Sequence, residues 1–238
     1  MKTFKKLFAI ILLAATAGMY TTAYAGNSDK TELREAKNFN AIKVSSGIDL
    51  YLKMGDSEEV KVVADDDLID KLITEVDDGT LRIYMKKSNW GNWGFSKTRK
   101  VYVTVTELNA IDASSGSDVN SEGTLKGETL KVRASSGSDV SLDVVYKNFS
   151  LDTSSGSDAR IQGKTKNFEA EASSGSDIKA QDLESVICKV RVSSGSDATV
   201  SVSDELYARA SSGGDIRYYG NPGIKDINES SGGDVNRK

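Results

Sequence analysis

The chain has 238 residues, 28% of them charged and 38% hydrophobic, with a formal net charge of −4, one Cys, one Pro and no His. The missing histidine excludes His-based triads and His-ligated metal sites, and the single cysteine excludes disulfide frameworks and Cys-rich zinc sites. The slightly acidic balance argues against a nucleic-acid partner, which calls for a basic excess.

Residues 1–25 read as a Sec-type signal peptide. Lys2, Lys5 and Lys6 form the charged n-region, Leu7 to Gly18 the apolar h-region, and Ala23-Tyr24-Ala25 the small-residue cleavage word before Gly26. The apolar run is too short for a membrane span of about 20 residues. No cysteine stands at the cleavage point, so a lipid-anchored form is not expected. No later segment is long and apolar enough to cross a membrane. Removal of the three lysines leaves 213 residues with a net charge near −7. The expected destination is the periplasm, the outer surface or the extracellular space.

Residues 26–112 are expected to form a β-rich N-terminal section that caps the C-terminal half of the chain. Strand-like runs are Ala41–Val44, Ile48–Leu52, Val60–Ala64, Leu81–Met85 and Val101–Val105. A short helix is expected over Asp67–Thr74, and Asp77-Asp78-Gly79-Thr80 is a hairpin signal. The run from Asn89 to Phe95 holds both tryptophans, Trp90 and Trp93, in a Gly/Asn loop context. With Phe95 they are candidate ligand contacts, because exposed aromatic faces suit sugar stacking or a partner surface. The alternative is that they fold back as a lid on the end of the core.

Residues 113–238 are organised by a repeat. The word Ser-Ser-Gly-x-Asp occurs eight times and takes up 21 of the 31 serines. One copy starts at Ser45, and seven more stand in series from Ser114, their glycines 18 to 21 residues apart. An apolar residue stands three places before each Ser-Ser and another directly after each Asp, as in Val132 and Val140. Period-two alternation such as Leu130-x-Val132-x-Ala134 marks a strand with one buried face. Gly permits positive φ, and Ser and Asp bond back to nearby backbone in turns. Each unit therefore reads as strand, corner, strand, then a second turn such as the one from Gly163 to Asn167.

A unit of about 19 residues cannot bury its apolar face alone, but stacked units can, at about 4.8 Å per rung. The expected fold is all-β: a right-handed parallel β-helix, or β-solenoid, with rungs of about 19 residues behind the β-rich N-terminal section. Lys131 and Arg133 should then face Ser150 and Asp152, and Glu169 and Glu171 should face Lys189 and Arg191, as favourable cross-strand neighbours. Cys188 shares the register of Leu130, Phe149, Phe168 and Leu206, so it is expected in the core. The last rung leaves a strand edge near Val235, a candidate contact for a homo-oligomer.

Phe39-x-Ala41-Ile42-x-Val44, Gly47-Ile48-Asp49-Leu50, Asp78-Gly79-x-Leu81-x-Ile83 and Ala113-Ser114-Ser115-Gly116, in that order, resemble the head GIN domain family. These are putative auto-transporter adhesins of unknown function, common in secreted proteins of Bacteroidetes-type bacteria. The resemblance spans roughly residues 35–235 and implies a secreted β-helical protein. It implies no catalytic residues.

The stacking itself places Asp118, Asp139, Asp158, Asp177, Asp197 and Asp215 in one ladder, with Asp234 at its end. Neighbouring carboxylates repel, so something offsets them. Hydrogen bonds from corner N–H groups with hydration are one answer, and calcium on Asp, Ser and backbone oxygens is the other. No other cofactor is expected. Ser-Asp pairs without a base are turn chemistry. The functional expectation is an exported, non-enzymatic, adhesin-like envelope or surface module with a carbohydrate or surface-protein ligand. Its alternatives are a carbohydrate-active enzyme on a β-helix and a purely structural envelope protein.

Overall fold

A computed structural model describes residues 29–86 and 97–238 of the protein. The strands, in order, are β1 (Asp29–Arg34), β2 (Ala41–Val44), β3 (Asp49–Met54), β4 (Glu59–Asp65), β5 (Leu72–Asp77), β6 (Thr80–Met85), β7 (Arg99–Val105) and β8 (Ala110–Ala113). They continue as β9 (Asp118–Ala134), β10 (Asp139–Ser154), β11 (Asp158–Ser173), β12 (Asp177–Val192), β13 (Asp197–Ala210), β14 (Asp215–Tyr219), β15 (Ile224–Glu229) and β16 (Asp234–Arg237). The described residues hold no α-helix. Where a helix was expected after Asp67 there is one 3-10 turn, Ile69–Lys71, and the chain then extends into β5.

The strands stack in parallel as a β-solenoid of about 7 turns with spacing near 19 residues. Eight corners join the half of each rung before the Ser-Ser to the half after the Asp. The halves before the corner run β6-β2-β8-β9-β10-β11-β12-β13-β15. The halves after it run β7-β3-β9-β10-β11-β12-β13-β14-β16. Residues 41–54 are thus a rung of the solenoid, continuous with the one that starts at Ala110. β6 and β7, later in sequence, lie outside that rung. Antiparallel strands close this end: β5 on β6, and β4 then β1 on β7. The β5–β6 hairpin turns at Asp78 and Gly79, both at positive φ (46° and 69°), as a primed two-residue turn requires.

The corner has a uniform backbone. Its second Ser and its Gly are both left-handed in every copy, for example Ser155 (φ 57°) and Gly156 (φ 69°). Glycine is needed there for φ and not for space, since a Cβ on Gly156 would meet no atom within 4 Å. The left-handed serine costs conformational energy, and the ladder compensates for it. The Gly N–H donates to the second Ser carbonyl of the next rung, as in Gly137 to Ser155 (3.1 Å) and Gly156 to Ser174 (3.2 Å). Inter-rung hydrogen bonding therefore continues through the bend.

The core is a set of in-register columns. Leu130, Phe149, Phe168, Cys188 and Leu206 stack rung on rung, all buried. Phe149 and Phe168 lie nearly parallel, with centroids 5.6 Å apart. Each fully buried side chain of this size stabilises the fold by roughly 1.5–3 kcal/mol. The second bend of each rung appears as a change of parity. Val140, Leu142, Val144 and Tyr146 point inward, then Phe149 and Leu151 do, with Lys147 and Asn148 spanning the switch. No separate turn interrupts the strand there; β11 runs unbroken from Asp158 through the expected turn at Gly163 to Asn167.

At the far end, β15 lies on β13 with Lys225, Ile227 and Glu229 in register with core residues Leu206, Ala208 and Ala210. Two charges therefore stand at inward positions of the last rung. They blunt the open edge, as inward-pointing charges do on edge strands.

Candidate functional site

The aspartates stack in register as expected, and Asp49 extends the ladder by one: Asp49, Asp118, Asp139, Asp158, Asp177, Asp197, Asp215 and Asp234. Their repulsion is offset in the lower part by cations two residues after the Asp, on the same face. Lys179 Nζ lies 3.8 Å from Asp158 and 3.9 Å from Asp177. Arg217 reaches Asp197 (3.4 Å) and Asp215 (3.5 Å). Sequence reasoning missed these bridges, although the Asp-x-x spacing on a period-two strand signals them. In the upper part, burial and then the neighbouring charges of Asp139 and Asp49 push the Asp118 carboxyl above its ordinary value. Among the described residues no group of three or more carboxylates or thiols could hold one metal ion.

The x position of the corner is a second column that the sequence did not disclose. Ser117, Ser138, Ser157, Ser176 and Ser196 are fully buried. Ser138 Oγ accepts from Ser135 N–H (3.0 Å), and Ser157 Oγ donates to the Ser154 carbonyl (2.7 Å). Ser176 Oγ accepts from Ser173 N–H (3.2 Å) and bonds Thr153 Oγ1 (3.0 Å). In the last two corners x is Gly214 and Gly233, and their own N–H groups donate to the first Ser carbonyl at 3.0 Å. These serines are structural. The available signal was Ile48 at the same place in the first copy.

Cys188 lies in the core column between Phe168 and Leu206. Burial pushes its thiol up to about 12. The aromatic candidates Trp90, Trp93 and Phe95 lie outside the described residues.

A groove of about 1460 Å³ lies on the outer face of the strand halves before the corner. It runs along the solenoid axis from Thr80 to Tyr207. Ala41, Ala110 and Ser150 keep the floor low, and Thr129, Asn148 and Asn167 line the bend beside it. The amides form a ladder: Asn167 Nδ2 donates to Asn148 Oδ1 (2.7 Å), whose own Nδ2 reaches Thr129 Oγ1 (3.4 Å). The stacked Phe149 and Phe168 rings back it. Two carboxylates of the groove are held in ion pairs, Asp112 by Lys43 (2.8 Å) and Asp152 by Arg133 (3.3 Å). Tyr207 donates to Glu205 (2.9 Å). Polar groups thus repeat at rung spacing along a shallow trough, a geometry for contacts to an extended chain. Among the described residues no helix is long and apolar enough to cross a membrane.

A sequence model of the family described as "Putative auto-transporter adhesin, head GIN domain" matches residues 38–222. A putative adhesin from Bacteroides fragilis has a similar solved structure, at TM-score 0.82 and 19% identity, covering 90% of this chain and 98% of that one. A putative adhesin from Parabacteroides distasonis matches at TM-score 0.71 and 20% identity, covering 89% and 98%. A putative lipid binding protein from the same species matches at 0.67 and 18%, covering 90% and 98%. At such identities the likeness is one of fold. No curated protein matches the sequence.

Proposed function

The chain belongs to the putative auto-transporter adhesin, head GIN domain family, and we propose from that premise that it is an exported, non-enzymatic surface binding module. An extended ligand, a carbohydrate chain or a segment of a surface protein, lies along the Thr80–Tyr207 groove. The observation that carries this reading is the groove's repetition. Thr129, Asn148 and Asn167 recur at about 4.8 Å, on the order of one sugar residue, so a polar contact of one kind is offered on three successive rungs along a polymer. Polar groups already fixed by the ladder lose little freedom on binding. Of the four carboxylates lining the groove, Asp112 and Asp152 are in ion pairs and Glu205 accepts from Tyr207, which leaves Glu169 without an equally free second carboxylate for glycoside cleavage.

In the same reading Asp158, Asp177, Asp197 and Asp215 are neutralised by Lys179 and Arg217 and not by calcium. Trp90, Trp93 and Phe95 are a secondary candidate contact.

The test is a binding screen of the processed protein against soluble polysaccharides and matrix proteins, repeated with Asn148→Arg and Tyr207→Ala. Ligands found with the parent protein should lose at least tenfold in affinity with Asn148→Arg, which fills the trough. Unchanged affinity would remove the groove from consideration. Loss on Trp90→Ala or Trp93→Ala instead would move the site to the aromatic segment.

A further inference from the structure

The outer face that carries the groove also carries a charge pattern with a symmetry of its own. From β9 to β15 its two outward columns read Lys131 and Arg133, Ser150 and Asp152, Glu169 and Glu171, Lys189 and Arg191, Tyr207 and Arg209, Asp226 and Asn228. Most of these side chains are exposed. Over this stretch, among the described residues, the ion pair formed within the chain on this face is Arg133–Asp152. Arg191 and Arg209 are direct cross-strand neighbours of like charge, an unfavourable arrangement for an isolated sheet face.

We propose that this face binds a second copy of the chain, face to face, about a two-fold axis that lies parallel to the strands between β11 and β12. Such an axis reverses the solenoid direction and keeps each column opposite itself. Glu169 then meets Lys189 of the second copy, Glu171 meets Arg191, Asp152 meets Arg209 and Lys131 meets Asp226. Each contact occurs twice, as an isologous interface requires. No like charges meet.

The register is the informative part, because neighbouring axes fail. An axis on β11 sets Glu169 against itself. One between β10 and β11 sets Lys131 against Lys189 and Asp152 against Glu171. One between β12 and β13 sets Arg191 against Arg209. Complementary potentials fix register and suppress wrong pairings in this way. In the paired state Arg209 gains an opposite partner in Asp152 of the second copy, and Arg191, which already neighbours Glu171 on its own sheet, gains another. Contacts between exposed charges are weakened by salt, so the dimer is concentration- and salt-dependent. The second copy covers the groove from β9 to β13, so it competes with an extended ligand. The pairing stands whether or not that ligand exists.

The test uses the processed chain without ligand. Light scattering at low ionic strength should show a dimer that dissociates at high salt. Carbodiimide, which joins a lysine to a carboxylate at zero length, should link Lys131 to Asp226. Within one chain these residues are five rungs, about 24 Å, apart, so the link forms only between copies. Two variants complete the test: Glu169→Lys with Glu171→Lys, and Lys189→Glu with Arg191→Glu. Each alone should be monomeric, and an equimolar mixture should dimerise again, which a folding defect could not produce. A monomeric parent protein at low salt overturns the proposal. So does a dimer without the Lys131–Asp226 link, which would place the contact elsewhere, such as the β15–β16 edge, and so does a mixture that stays monomeric.

Discussion

Asp118 stacks directly on Asp139, one rung apart with the two in parallel register. Burial raises the Asp118 carboxyl, and the Asp139 and Asp49 charges raise it further, against a backbone hydrogen bond that lowers it. A carboxyl raised in the folded state favours the protonated fold. Its ionised form therefore costs stability above the raised value, and the cost disappears as pH falls towards the ordinary carboxylate range. Asp118→Asn should be slightly more stable than the parent at neutral pH, the gain being small because water screens this half-exposed carboxyl. The two should converge on mild acidification. Denaturant titrations of both proteins from pH 7 downward check this; a destabilised variant at pH 7 would mean that the carboxylate is held by a favourable partner.

Arg217 and Lys179 each bridge two ladder aspartates. These groups are partly exposed, so each bridge contributes at most about 1 kcal/mol. Arg217→Ala should lower stability within that limit, and the loss should shrink in high salt as screening weakens the repulsion between Asp197 and Asp215. Melts of the parent protein with calcium and with chelator should coincide. A higher melting temperature in calcium, lost in Asp139→Asn, would show that the ladder takes a cation instead.

The solenoid was legible because two signals are local. The five-residue word fixes the corners, and period-two alternation fixes which residues face inward. In-register columns such as Leu130–Phe149–Phe168–Cys188–Leu206 result from the two together. The position of residues 80–105 was not legible. Nothing local in β6 or β7 says that they stack outside β2 and β3, because that order is a long-range pairing without a repeated word. β1 was missed for a similar reason: Asp29–Arg34 buries little and is a strand through its edge bonds to β4. The groove was not visible either. It depends on the small floor residues Ala41, Ala110 and Ser150 meeting in one column from distant positions. The buried serine column misled because serine at a corner reads as turn chemistry, and Ile48 in the first copy was the one sequence signal that the x position turns inward.

Ser176 Oγ links two rungs by bonding both Ser173 N–H and Thr153 Oγ1. Ser176→Ala removes an acceptor from the half-buried Ser173 N–H and leaves Thr153 Oγ1 with only its 3.4 Å bond to the Glu171 carbonyl, which costs about 1–3 kcal/mol. Thr153→Val should cost a similar amount. The double variant should cost less than the sum, because the two hydroxyls satisfy each other. Chemical denaturation of the four proteins completes the cycle. Strict additivity would show that the hydroxyls act independently and that the column is not a connected network.

Cys188 is fully buried, and burial pushes its thiol from about 9 up to about 12, with a small opposing effect from Ser185. A thiol raised in the fold contributes stability that is complete below its ordinary value. That stability is lost as pH rises from about 9 towards about 12, because the unfolded chain ionises first. Tyr146, also raised to about 12 by burial and by the Glu107 charge, loses stability over the upper part of the same range. The thiol's share is isolated by Cys188→Ala. At neutral pH the variant should be less stable by about 1 kcal/mol for the lost packing. The gap should narrow as the medium becomes alkaline. In the native protein a thiol reagent should label Cys188 no faster than the core opens, so labelling should accelerate in step with unfolding in denaturant. Rapid labelling without denaturant would show that the column between Phe168 and Leu206 opens locally.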